Sequence, residues 1–178
     1  MAVEHAFAPF VRALGKGKRG SRSLSQKEAF DAMSMILQQQ VEPEQLGAFL
    51  MLLRLKEETP AELAGFVEAV RHFHQYSPAQ VGNIKVDIDW SSYAGKKRHL
   101  PWFLLSALTL AGQGVKVFMH GAKGHTAGRI YSEDVLHQLG LPVAESFSQV
   151  ESQLNSDNFS FMSLRHMSPA LEHLIGLR

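Results

Sequence analysis

Apolar positions fall at helical spacing through the first part of the chain, and the period then changes. Between Ala2 and Leu14 the residues Phe7, Phe10, Val11 and Leu14 line one helical face, with Pro9 interrupting the second turn. Ser25 followed three residues later by Glu28 makes a capping box, and Ala29, Met33, Ile36 and Leu37 follow on one face. Pro43 suits the first position of another helix, whose apolar residues are Leu46, Phe49, Leu50, Leu53 and Leu55. Thr59-Pro60-Ala61-Glu62 is a second capping box, and the helix it opens carries Leu63, Phe66, Val67 and Val70 and ends near Tyr76, ahead of Pro78. Short helices with short connections predict a small bundle.

Beyond Ser77-Pro78 strands and helices alternate. Lys85 to Asp89 alternates like a strand, and a polar loop from Trp90 to Leu100 follows. Pro101 opens a strongly apolar helix, Trp102 to Leu110, closed by Gly112 and Gly114. Val115 to Met119 reads as a buried strand, and a glycine-rich loop, His120 to Arg129, leads into a helix capped by Ser132. Val143 suits a short strand, Ser148 with Glu151 caps a short helix, Phe159 to Met162 is strand-like, and Ser168-Pro169 opens a last helix. The expected class is α/β: a helical bundle followed by the first part of a mainly parallel sheet domain. The boundaries are 1–24 for an N-terminal helix and basic arm, 25–77 for a helical domain and 78–178 for a partial α/β domain.

Composition narrows the class. The 178 residues are 45% hydrophobic and 20% charged, ordinary globular proportions, and the absence of cysteine excludes a disulfide scaffold, a thiolate zinc site and a cysteine nucleophile. No apolar run is long enough to cross a membrane as a helix, and the N-terminal charges follow the apolar stretch, so a cytoplasmic location is expected. The net charge of +1 hides a segregation. Residues 1–24 hold Arg12, Lys16, Lys18, Arg19 and Arg22 against Glu4, and no acid occurs from Trp90 to Ser132.

Candidate chemistry gathers in three basic, glycine-containing stretches. The first is the loop after the first strand, with Ser91, Ser92, Tyr93, Gly95, Lys96, Lys97 and Arg98. Ligands of parallel sheets bind beyond the carboxyl ends of strands, so these residues suit a phosphate; a solvated surface loop has the same composition. The second is the loop with His120, Gly121, Lys123, His125 and Arg129, which follows the next strand and should open on the same edge. Its spacing is not that of a Walker loop. The third is the arm Lys16, Lys18, Arg19 and Arg22, whose glycines and cations suit either phosphate tracking or a plain linker. The nine histidines form no recognisable metal motif, no serine has a nucleophile-elbow context, and no catalytic group is evident.

Ser25 to Gln75, above all Val41-Glu42-Pro43-Glu44-Gln45-Leu46-Gly47-Ala48-Phe49-Leu50-Met51 and Arg54 to Gly65, resembles the helical domain of anthranilate phosphoribosyltransferases and class II nucleoside phosphorylases. The second half, through Met119-His120-Gly121 and Ser132 to Leu136, is similar to the start of their α/β domain. On that resemblance the chain covers the N-terminal half of such a protein. The family's glycine loop for pyrophosphate is replaced by Asp87 to Leu100, and Met119 and Ala122 stand where its K-H-G-N motif has lysine and asparagine. Gly15 to Leu24 and Ser92 to Lys97 resemble instead a divergent DNA-binding branch of the same family.

The resemblance implies a non-catalytic, sequence-tolerant nucleic-acid-binding protein, single- or double-stranded, homodimeric through its helical domain and without cofactor. Lys16, Lys18, Arg19, Arg22, Lys96, Lys97, Arg98, Lys123 and Arg129 would meet phosphates, and Tyr93 or Trp90 would stack a base. The alternative is a phosphoribosyltransferase using phosphoribosyl pyrophosphate with magnesium, with Ser91, Ser92, Gly95, His120 and Gly121 at the phosphate site.

Overall fold

The computed structural model describes residues 4–17, 19–74, 81–124 and 126–177. The end of the fourth helix near Tyr76, the Ser77-Pro78 boundary, the first residues of the opening helix, Lys18 and His125 lie outside the described residues. The chain divides into two compact units, Met1–Gln75 and Tyr76–Arg178.

The first unit is a helical bundle of α1 (Ala8–Gly15), α2 (Gln26–Leu37), α3 (Pro43–Lys56) and α4 (Pro60–Phe73). Its punctuation follows the sequence. The Ser25 and Thr59 side chains accept from the amides of Glu28 and Glu62, and both glutamates close their boxes on the cap amide. Pro43 and Pro60 stand in the first turns of α3 and α4. Helix α2 packs on α4 and α1 on α3 around Phe7, Leu14, Ala29, Ala32, Phe49 and Leu53. Gly65 lets α4 approach α2 so closely that a Cβ there would overlap the Gln26 carbonyl oxygen.

The second unit is a parallel sheet between helices. Its order is β1 (Ile88–Ser91), α5 (Phe103–Gly112), β2 (Val117–Gly121), α6 (Ser132–Gln138), α7 (Phe147–Ser156), β3 (Phe159–Ser163), α8 (Leu164–Met167) and α9 (Pro169–Gly176). The strands lie in the order β1-β2-β3, all parallel, with Ile88 beside Val117 and Val117 beside Phe159. On one sheet face Val117, Met119, Phe159 and Phe161 pack with Leu104, Ala107 and Ala111 of α5 and Leu136 of α6. On the other, Met162 joins Val150 and Leu154 of α7, with Phe118 beside them. Ala144 adds a single parallel bridge to Met162, less than the short strand expected around Val143.

Three local expectations shift. Strand β1 runs from Ile88 rather than from Lys85 to Asp89, because Asp87 turns its carboxylate to accept the Lys116 amide at 2.8 Å. Helix α6 is capped by Tyr131 and not Ser132, whose hydroxyl is taken by Ser92 at 2.6 Å. Helix α7 is capped by Ser146, two residues ahead of the predicted cap, Ser148.

Candidate phosphate site at the sheet edge

Parallel topology sends the chain out of every strand at the same edge, so the loops after β1 and β2 emerge side by side. They are joined. Lys96 and Ile130 exchange both backbone hydrogen bonds, at 2.8 and 2.9 Å, as one antiparallel bridge. The Arg129 guanidinium donates to the Gly95 carbonyl at 2.9 Å, and the Tyr131 ring packs so tightly over Gly95 that a Cβ there would collide with it. Ser92 donates its amide to the His120 carbonyl at 2.7 Å, and its own carbonyl oxygen fills the space where Gly121 would carry a side chain.

Gly95 and Gly121 are therefore needed for the contact of loop with loop, and their bare faces meet protein atoms. A backbone cradle for pyrophosphate on these two glycines does not fit. The side chains offer a different surface. Lys97 and Arg98 are exposed, and Lys96 lies half-buried with its ammonium 5.4 Å from the centre of the Phe103 ring. Ser91 is exposed at the end of β1, whereas Ser92 is engaged with Ser132.

Other cations are committed elsewhere. Lys123 lies 3.1 Å from Glu133 and 3.8 Å from Asp134. Glu133, 1% exposed, also receives Arg165 at 3.0 Å and His137 at 3.6 Å. Burial pushes the Glu133 carboxyl up, but the neighbouring Lys123 ammonium and Ser163 hydroxyl and the charge of Arg165 hold it below the usual range. This hub ties the β2–α6 loop to α8. In the first unit Arg22 makes a two-pronged pair with Glu28, at 2.8 and 2.7 Å, while Lys16 and Arg19 are exposed.

Both aromatic residues expected to stack a base are used internally. The Trp90 ring stacks on Phe103 with centroids 5.9 Å apart, and the Tyr93 hydroxyl lies 2.6 Å from His120 Nδ1. The exposed aromatic of this edge is Trp102, 60% exposed at the cap of α5, which sequence reasoning placed inside an apolar helix. Its signal was present: it stands four residues past Arg98, ahead of the helix's buried positions Leu104, Ala107 and Ala111. Among the described residues no three His, Asp or Glu side chains converge on a metal position, and no helix is long and apolar enough to cross a membrane.

Residues 9–73 match the glycosyl transferase family helical bundle domain. The whole chain is 33% identical, over 178 residues, to an anthranilate phosphoribosyltransferase of Gluconobacter oxydans. The chain is anthranilate phosphoribosyltransferase-like. A second such relative, from Anaeromyxobacter, is 34% identical over 162 residues, 87% of this chain. These matches take up 47% and 45% of the relatives, so the chain spans about half the length of the curated relatives it matches. In solved structures the same fold occurs in the anthranilate phosphoribosyltransferase of Thermus thermophilus (TM-score 0.69, 24% identity, 98% of this chain and 52% of that one). It occurs also in the enzyme of Saccharomyces cerevisiae in complex with phosphoribosyl pyrophosphate and magnesium (TM-score 0.62, 17% identity, 99% and 53%).

Proposed function

We propose that this chain supplies the phosphate-binding part of a phosphoribosyltransferase-like protein, in which cationic side chains rather than glycine amides receive a ribosyl pyrophosphate. The observation that carries the reading is the joined pair of loops at the carboxyl edge of the sheet, presenting Lys96, Lys97 and Arg98 beside the start of α5. The names of its relatives support this function over nucleic-acid binding. In such a transfer the bond from ribose C1 to pyrophosphate breaks and the pyrophosphate leaves with its charge. Cations fixed at that position stabilise the departing group without giving or taking a proton. The yeast neighbour holds phosphoribosyl pyrophosphate with magnesium, and the same ligand pair is proposed here, with Lys96, Lys97 and Arg98 meeting part of its charge.

A second reading rests on Trp102. An exposed indole four residues past Arg98 in sequence offers, with the exposed Lys97 and Arg98, the base-stacking platform and phosphate contacts that single-stranded nucleic acid uses. In the first unit the exposed Lys16 and Arg19, with Lys18 between them in sequence, suit phosphates as well.

One titration separates the two. Phosphoribosyl pyrophosphate measured by calorimetry, and a labelled single-stranded DNA measured by anisotropy at several salt concentrations, are compared in wild type and in Lys96→Ala/Lys97→Ala/Arg98→Ala. The transferase-type reading expects the small ligand to bind and the triple variant to lose it. The nucleic-acid reading expects DNA affinity to fall with salt, with a slope reduced in the triple variant by about 0.7 for each phosphate no longer neutralised, and Trp102→Ala to weaken binding by about 1–3 kcal/mol. Homodimerisation through the helical domain is proposed as well, supported by the exposed apolar side chains Met51, Leu55, Leu63 and Val67 on α3 and α4.

A further inference from the structure

The bridge between the two loops holds a cation that the run from Lys96 to Arg98 does not include. Arg129 stands one residue ahead of Ile130, and its Nη1 donates at 2.9 Å to the Gly95 carbonyl, the oxygen of the peptide that joins Gly95 to Lys96. The guanidinium reaches that oxygen because position 95 carries no side chain. A Cβ there would lie 2.8 Å from the Arg129 Cβ and 2.6 Å from the Tyr131 ring. The ring is fixed in turn: Tyr131 is buried, and its hydroxyl accepts from the amide of Thr126, in the same loop as Arg129, at 3.0 Å.

Arg129 spends one of its five N–H groups on Gly95 and stays exposed. Among the described residues no acid is paired with it, whereas Arg22, Lys123 and Arg165 each have a glutamate. A guanidinium held at one corner and without a counter-charge is preorganised, and its planar fork matches the oxygens of a phosphoryl group. Register supplies a second cation. In the antiparallel bridge between Lys96 and Ile130 the flanking positions are Lys97 and Arg129, one exposed cation from each loop. Alternation sets Lys96 apart from them, and its ammonium lies over the Phe103 ring.

We propose that Arg129 is a phosphate-binding residue, which grips one phosphoryl group together with Lys97 across the joined loops. Gly95 and Tyr131 are positioning residues that set the guanidinium in place. This assignment rests on the phosphate-site reading, and it adds a residue of the second loop and a requirement that the two loops stay joined.

Inorganic pyrophosphate and phosphoribosyl pyrophosphate are titrated by calorimetry into the full chain, in wild type, Arg129→Ala, Arg129→Lys, Lys97→Ala and Lys97→Ala/Arg129→Ala. Arg129→Ala should weaken both ligands by about tenfold or more, the loss expected of a hydrogen bond between charged groups. Arg129→Lys keeps the charge without the fork and should leave most of that loss in place. The double variant should lose less than the product of the two single losses, because both side chains hold the same group. Gly95→Ala keeps every charge, yet it should lose affinity as Arg129→Ala does, with no further loss when the two are combined. In wild type, phenylglyoxal modification of Arg129, followed by mass spectrometry, should slow in proportion to the fraction of chain bound to pyrophosphate. A residue that only ties the loops together would keep its rate. If Arg129→Ala binds as wild type does while Lys96→Ala/Lys97→Ala/Arg98→Ala loses the ligand, the role of Arg129 is wrong and the phosphate site stands. If wild type binds neither ligand, the site itself is wrong and the role of Arg129 falls with it.

Discussion

At the scale of single residues, Glu62 does more than close a cap. It is fully buried, and its oxygens accept from the Leu24 amide, the Lys56 ammonium and both the amide and the hydroxyl of Thr59, each at 2.8 Å. One carboxylate thus fastens the end of the basic arm to the α3–α4 corner. Burial would raise its pKa, but the bonds to Lys56, Thr59 and Leu24 outweigh it and hold the group below the usual carboxylate range. Glu62→Gln leaves Lys56 without its charge partner and should cost about 3 kcal/mol, read as a lower urea midpoint; an unchanged midpoint would show that the corner is held otherwise. Glu28, bonded to Arg22, is pushed down to about 2 from an ordinary 4.5. A carboxyl depressed by folding stabilises above its unfolded pKa and loses that contribution as pH falls through the folded one. The first unit should therefore weaken from about pH 5 downward, less so in Glu28→Gln, as acid titrations followed by circular dichroism would show.

At the scale of elements, two glycines in helices of the first unit should respond in opposite directions. A methyl group at Gly65 meets the backbone of α2, so Gly65→Ala should push α4 off α2 and cost about 3 kcal/mol. Gly47 lies in α3 with nothing near its missing side chain, and Gly47→Ala should gain roughly 0.5–1 kcal/mol from helix propensity alone. Thermal melts of the two variants check both signs. Element types and order were legible because their signals are local: two capping boxes, prolines in first turns and an apolar run after Pro101. Ends were misread where a distant residue competed for the local group, as Ser92 does for the Ser132 hydroxyl. The same limit applies to the site. The cations of 96–98 stand together in sequence, whereas the Glu133 hub and the contact of Tyr93 with His120 join residues from separate strands and loops. No periodicity encodes such meetings.

At the scale of the whole molecule, the proposed dimer makes a simple expectation. A chain of 19.8 kDa should elute with twice that mass in light scattering, and Leu55→Glu with Val67→Glu should return it to the single mass, since both positions are at least half exposed in the monomer. A single mass for wild type would remove the helical domain as the joining surface. The two units also differ in how far along the chain their partners lie. Helices α1 to α4 find one another within Met1–Gln75, while among the described residues β1 pairs with β2, a strand that follows a complete helix, and β2 with β1 and β3. On the ribosome helices α1 to α4 have all emerged before β2 is made and β1 can bond to it. During synthesis Ile88 and Trp90 must wait, and the stretch from Ile88 to Lys116 is where a chaperone or a stray strand would find this nascent chain most open to capture.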